Sequence, residues 1–367
     1  MKGFTSRLAR NRRGVVILVA LSLGLTAAAC SSSGGSAATP AKSGTAAVAT
    51  PDLSKVTLRL GQITASESAQ IKASGIFDDT PYKVSWSTFA GPAPMMTALL
   101  ANAIDAGVNF GDVSVTLANA NGSTPWTAEN APAKTIGVLA TTYPIYETIA
   151  TTKSGITSLA DIKGKRYAYN NGGNIQAQYL LDLKKAGLTP DDVTPIVIQA
   201  ATQGSTFAAG ATDVLSTSTS VAVPFIAEGT ARVIATQDDI GLPGLNAFVA
   251  STKALKDPAK RAAFSDVLTR LTKFYAWYPK NLPALAKLSE TVGNVPAKYS
   301  LEEAKAIGSY LTPTTPEIIA KEQALADLLV EGGVIKTKVD VSAQYDQSFN
   351  AVISAGNAAN GVPQPTS

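Results

Sequence analysis

Four stretches of this sequence combine the residue types that let a backbone close on a small solute. They are Phe89-Ala-Gly-Pro-Ala-Pro94, Phe110-Gly-Asp-Val-Ser114, Asn170-Asn-Gly-Gly-Asn174 and Leu215-Ser-Thr-Ser-Thr-Ser220. Each follows a strand-like apolar run and leads into a helix-like one. Glycine permits close backbone approach, and a helix start presents N–H groups that have no partner within the helix. Lys and Arg are absent from all four. Such a set suits a compact oxyanion held by directed dipoles, because each helix N-terminus carries roughly half a positive charge. Taken singly, each corner reads as an ordinary turn with a helix cap. Four in this order point to a site. The candidate contacts are Gln62, at the end of the first strand, with Gly91, Pro92, Ala93, Asp112, Val113, Asn171, Gly172, Gly173, Asn174, Ser216, Thr217, Ser218 and Thr219. Asp112 stands apart, since a carboxylate repels an anion and reads better as an N-cap or structural acceptor.

Other chemistries lack their parts. The chain has no histidine and one cysteine, Cys30. Zinc sites, Cys–His nucleophiles and Ser–His–Asp triads are excluded on that ground. No catalytic set, metal or cofactor is expected, and one cysteine permits no intrachain disulfide. Carboxylate or lysine chemistry stays open by composition, but no paired carboxylates stand at any corner. Trp86, Trp126, Tyr143, Tyr146 and Trp277 are candidates to wall a cleft, with core packing as the alternative reading, favoured for Trp277. Glu147 reads as a structural acid.

The N-terminus carries an address. Lys2, Arg7, Arg10, Arg12 and Arg13 precede an apolar run from Gly14 to Ala29. That run of 16 residues falls short of the roughly 20 a membrane-crossing helix needs and fits a signal peptide. Leu25-Thr-Ala-Ala-Ala-Cys30 resembles a bacterial lipobox, in which the cysteine becomes the first mature residue and bears the lipid; the other reading is a secretory signal with a chance cysteine. Ser, Gly, Ala and Thr dominate from Ser31 to Thr50, which reads as a flexible tether. Losing the leader's five basic residues takes the net charge from +4, with 31 basic and 27 acidic residues, to −1. No basic run remains to attract nucleic acid.

These corners need strands and helices to hold them. Strands are predicted at 56–61, 82–87, 106–110, 134–140, 166–169, 195–199, around Val214, 231–235 and 245–251. Helices are predicted at 66–74, 94–102, 113–120, 159–163, 174–186 and 258–278, and near 282–292, 301–310 and 315–331. Strands alternating with helices argue for an α/β fold with mainly parallel sheets. The domain reading is a signal at 1–29, lipidated Cys30 and tether at 30–54, a first lobe at 55–148, a second at 149–243, a return to the first at 244–345, and a C-terminal tail at 346–367. The chain crosses between the lobes twice, and a cleft between domains is where a small ligand binds.

At this point a resemblance becomes specific. Phe89-Ala-Gly-Pro-Ala-Pro-Met-Met-Thr-Ala-Leu-Leu-Ala-Asn-Ala-Ile-Asp105-Ala-Gly, then Gly111-Asp112, resembles the signature of the aliphatic sulfonate, taurine and nitrate binding proteins, a branch of the NMT1/THI5-like family. Ser154-Gly-Ile-Thr-Ser-Leu-Ala-Asp-Ile-Lys-Gly164 and Lys185-Ala-Gly-Leu-Thr-Pro-Asp-Asp-Val193 resemble its second-lobe pattern. The resemblance implies a type II periplasmic-binding fold, with two α/β lobes on a two-stranded hinge closing on a ligand and delivering it to an ABC permease and its ATPase. It places the ligand against Gly91 to Ala93, Asp112 and Val113, and Asn171 to Asn174. The fourth corner departs: relatives often read Ala-Ile-Trp-Asp-Pro where this chain has Ser216 to Ser220. Losing that acid argues against an amino-sulfonate and for an uncharged-tail sulfonate or a neutral polar ligand. The family's enzymatic branch carries a cysteine-rich segment and histidines, and this chain has neither.

The expected function is therefore a monomeric, extracytoplasmic solute-binding lipoprotein of an ABC importer, anchored at the outer face of the cell membrane. It would take a small polar or anionic solute, sulfonate-like first. The alternative is a sensing lipoprotein of the same fold that signals to a membrane partner; an enzyme is the weakest reading.

Overall fold

The helix at Pro258–Trp277 shows how local sequence sets this architecture. Asp257 accepts hydrogen bonds from the Ala259 and Lys260 amides at 2.9 and 3.2 Å, and Pro258 fills the first helical position. One face then buries Phe264, Val267, Leu268 and Leu271 on a β-sheet. The computed structural model describes residues 51–141, 144–306, 309–331 and 333–362. The leader, Cys30 and most of the tether lie outside these, as does Tyr143. Among the described residues no helix is long and apolar enough to cross a membrane.

The chain begins with β1 (Thr57–Gln62), α1 (Ala65–Ala73), β2 (Lys83–Thr88), α2 (Pro92–Leu100), β3 (Ala106–Gly111), α3 (Val113–Ala120) and β4 (Ala133–Thr141). It continues through β5 (Tyr146–Thr151), β6 (Arg166–Tyr169), α4 (Asn174–Lys185), β7 (Thr194–Val197), α5 (Gln203–Ala208), β8 (Val214–Ser218), α6 (Thr219–Ala227) and β9 (Ala231–Thr236). After a short helix, α7 (Gln237–Ile240), come β10 (Asn246–Ser251), α8 (Thr252–Leu255) and α9 (Pro258–Trp277). The last elements are α10 (Leu282–Thr291), α11 (Ala297–Ala306), β11 (Ser309–Thr312), α12 (Pro316–Glu331) and α13 (Asn350–Asn360).

Two sheets result, ordered β11-β4-β10-β3-β1-β2 and β7-β6-β8-β5-β9. The expectation of mainly parallel sheets needs correction. β1 pairs parallel with β2 and β3, but β10 runs antiparallel to β3 and β4, and β11 to β4. In the second sheet β6 is parallel to β7 and β8, whereas β5 is antiparallel to β8 and β9. The reason lies in the crossings. β5 enters the second sheet directly from β4, and β10 returns to the first from α7, so each joins its sheet without the crossover helix that parallel pairing requires.

Two further expectations are corrected. The helix predicted at 301–310 ends at Ala306, and Ser309–Thr312 forms edge strand β11 with Leu311 fully buried. Four residues carry too little period to be told from a helix end. Residues 350–360, placed in a tail, form α13. Its Ile353 is fully buried in the main core, and Gly356 meets Thr272, where an added Cβ would stand 2.5 Å from the hydroxyl. A third apolar cluster joins α3, α4 and α12 through Val113, Leu117, Leu181, Leu325 and Leu329. It ties the two lobes on the hinge side.

Candidate functional site

A cavity of about 280 Å³ opens between the sheets. The second lobe lines it with the starts of two helices. Gly173 caps α4 and Ser218 caps α6, and neither makes a side-chain bond to the first amides. Asn174, Ile175, Ser220 and Val221 follow on the cavity wall. These N–H groups point their dipoles at whatever occupies the space. Asn170 joins them; its oxygen accepts from Gln203 Nε2 at 3.1 Å, and Gln203 in turn accepts from Thr217 Oγ1 at 3.1 Å. The hinge contributes Tyr146, whose hydroxyl donates to Asn246 Oδ1 at 2.8 Å.

The first-lobe wall has another chemistry. Ile63, Ser66, Glu67 and Gln70 come from the start of α1, while Phe274, Tyr275 and Tyr278 come from the end of α9. Burial pushes the Glu67 carboxyl up to about 8. Glu303 from α11 also faces the cavity and is raised by burial, but it accepts a 2.6 Å bond from Ser289 Oγ. Among the described residues no Lys, Arg or His lines the cavity, and no group of His, Cys, Asp or Glu could hold a metal.

The helix start at α3 is already occupied. The Val113 amide donates to Asp112 Oδ1 at 2.8 Å and to Asn174 Oδ1 at 3.3 Å, and Asn174 Nδ2 donates to the Leu245 carbonyl at 2.7 Å. One side chain of the second lobe thus plugs a helix of the first and grips the returning hinge strand. Beside it, Gly172, the first glycine of the Asn-Gly-Gly-Asn turn, has φ +90°, and a Cβ there would stand 2.7 Å from Ala93 Cβ. The first and third corners therefore pack on each other, and the cavity lies to one side of that seam.

Comparison with known proteins now bears on this geometry. A sequence model described as NMT1/THI5 like matches residues 101–281. A putative aliphatic sulfonates-binding protein of Escherichia coli is 28% identical over 274 residues, spanning 71% of this chain and 78% of that protein. The chain matches the NMT1/THI5-like family. The alkanesulfonate-binding protein SsuA of Xanthomonas axonopodis pv. citri, solved with MOPS bound, superposes with a TM-score of 0.67 at 24% identity, covering 79% of this chain and 98% of SsuA. The two-lobed arrangement is the periplasmic-binding fold. That fold also hosts chemistry: the desulfurization enzyme DSZB matches with a TM-score of 0.57 at 12% identity, over 82% of this chain and 99% of its own.

Within this structure the expected contacts disperse. Pro92, Gly173, Asn174 and Ser218 line the cavity. Gly91 caps α2, and Ala93 packs on Gly172. Asp112 caps α3 with Val113 as that helix's first residue, both buried. Asn171 is exposed. Gln62 is buried behind the wall, donating to Ser68 Oγ and Thr88 Oγ1 and accepting from the Ser68 amide. Ser216 bonds the Tyr167 hydroxyl at 2.8 Å, Thr217 holds Gln203, and Thr219 donates to the Pro144 carbonyl. Of the aromatic candidates, Tyr146 reaches the cavity, while Trp126 is buried in a core and Trp86 and Trp277 pack against one. Glu147 is buried on β5 and pushed up to about 7 by burial. Sequence reasoning missed Glu67, Gln70, Phe274, Tyr275 and Tyr278. The signal available was Ser66-Glu67 in the first turn after β1, at the carboxyl end of a strand where α/β ligands sit.

Proposed function

We propose that this chain is the solute-binding component of an ABC importer, working outside the cytoplasm and tethered through Cys30. It captures a small polar or anionic solute, sulfonate-like first, delivers it to a permease, and catalyses no reaction. The observation that carries the reading is the cavity shared by two lobes, with two helix starts that carry no side-chain cap on its wall. Its volume of about 280 Å³ sits near the lower end of small-molecule pockets, which suits a compact solute. The likeness to sulfonate-binding proteins supports the class of ligand, and closure about the hinge supplies the two states a permease distinguishes. Calorimetry and thermal shift against alkanesulfonates, sulfate and nitrate test it. Binding of one class with release on lobe opening is expected; silence across all of them refutes the reading.

A further inference from the structure

Glu67 sits three residues after the N-cap Thr64, where a glutamate ordinarily folds back onto the cap amide. No such capping bond forms at α1. Among the described residues the Glu67 carboxyl has neither an ion pair nor a hydrogen bond, and it faces the cavity with Tyr275 and Tyr278. Tyr275 is raised by burial and then by the Glu67 charge, so the two groups are neighbours. Glu303, the other acid on this wall, has Ser289 as its partner. Among the described residues no basic side chain lines the space. The second-lobe side of the cavity holds the starts of α4 and α6, with Asn174, Ile175, Ser220 and Val221, while the Thr219 amide is taken by the Ile145 carbonyl. The cavity is thus polarised, with a carboxylate and aromatic faces on one wall and N–H dipoles on the other.

We propose that Glu67 receives a cationic nitrogen of the solute, so that the bound molecule carries an ammonium-type group at one end and a compact oxyanion at the other. This rests on the solute-binding reading above and narrows it. An ammonium supplies the charge-assisted bond Glu67 lacks, and ring faces beside it favour a cation. Burial also holds the empty carboxyl near pH 8, so a cation entering below that pH displaces a proton. The expectation of an uncharged tail, drawn from the fourth corner, is thereby reversed, because α1 supplies an acid to the cavity.

Three probes separate the ideas: propanesulfonate, 3-aminopropanesulfonate and propylammonium, each titrated by calorimetry at pH 7.5 into the wild-type protein and Glu67→Gln. The expected result is 3-aminopropanesulfonate binding about 10- to 100-fold tighter than propanesulfonate, with Glu67→Gln reducing that margin to about twofold. Proton release, read from heats in buffers of different ionisation enthalpy, should accompany binding to the wild type and vanish in the variant. Glu67→Ala repeats the comparison should the amide disturb α1. Equal affinity for the two sulfonates, or a margin that survives both variants, overturns the role of Glu67 while leaving sulfonate capture intact. Propylammonium binding alone, lost in Glu67→Gln, supports Glu67 and removes the sulfonate. No binding of any probe overturns both.

Discussion

The two walls of the cavity are built on opposite plans. The second lobe lines it with backbone: the openings of α4 and α6, with Asn170, Ser218 and Ser220 around them. The first lobe meets it with side chains, Glu67 and the aromatics that end α9. Backbone amides at a helix start are fixed by the helix and indifferent to most substitutions. A carboxylate on a first turn is set by one codon. On the function proposed above, the contrast assigns affinity for the anionic part of the solute to the lobe 2 scaffold and selectivity to a few exchangeable side chains of lobe 1.

The largest effect should come from spoiling the backbone wall. Ser220→Asp puts a carboxylate in the first turn of α6, where it favours the helix but repels an anion in the cavity. Sulfonate affinity measured by calorimetry should fall by about 2–3 kcal/mol, roughly 30- to 150-fold, with the melting temperature kept. Unchanged affinity would move the anion away from that helix.

A smaller loss is expected when the walls are held apart. Gly172→Ala adds a Cβ at φ +90°, 2.7 Å from Ala93 Cβ, and backbone strain of this kind costs about 1–3 kcal/mol. Affinity for every ligand should drop together, about 5- to 150-fold, and the radius of gyration with ligand present should rise toward the open form. A drop confined to one ligand would contradict a shared seam.

The smallest effect belongs to acids that face each other away from the solute. Asp112 and Glu322, both buried, stand together beside α3. Burial, then the Asp112 charge, holds Glu322 well above its ordinary value of 4.5. The unfolded chain ionises Glu322 near that value while the folded one keeps the proton, so stability is lost as pH rises above it. Glu322→Gln keeps a neutral donor at every pH. Its melting temperature should match wild type near pH 4.5 and exceed it by about 3–6 °C at pH 8, with ligand affinity unchanged. A loss of affinity would bring this pair into the site.

Much of this was legible in the sequence because it is local. Cap residues at Asp112 and Gly173 start α3 and α4 where the sequence puts them, Gly91-Pro92 starts α2 two residues before its predicted position, and Asp257-Pro258 opens α9. What the sequence hides is which face each corner turns to its neighbours. Ser216 and Thr217 carry the hydroxyls a ligand would want, yet both are fully buried, one on Tyr167 and the other on Gln203. Asn174 has the right chemistry, and its side chain is spent on Val113 and Leu245. Tyr275 and Tyr278 lie about 200 residues from α1 along the chain, so no spacing announces that they share a wall with Glu67.

The Asn174 plug has a consequence for how the halves of the molecule are joined. One amide side chain satisfies both the α3 start and the Leu245 carbonyl, so a single residue of the second lobe latches two separate segments of the first. Each such bond contributes about 1 kcal/mol net, and both are lost together when that one residue is changed.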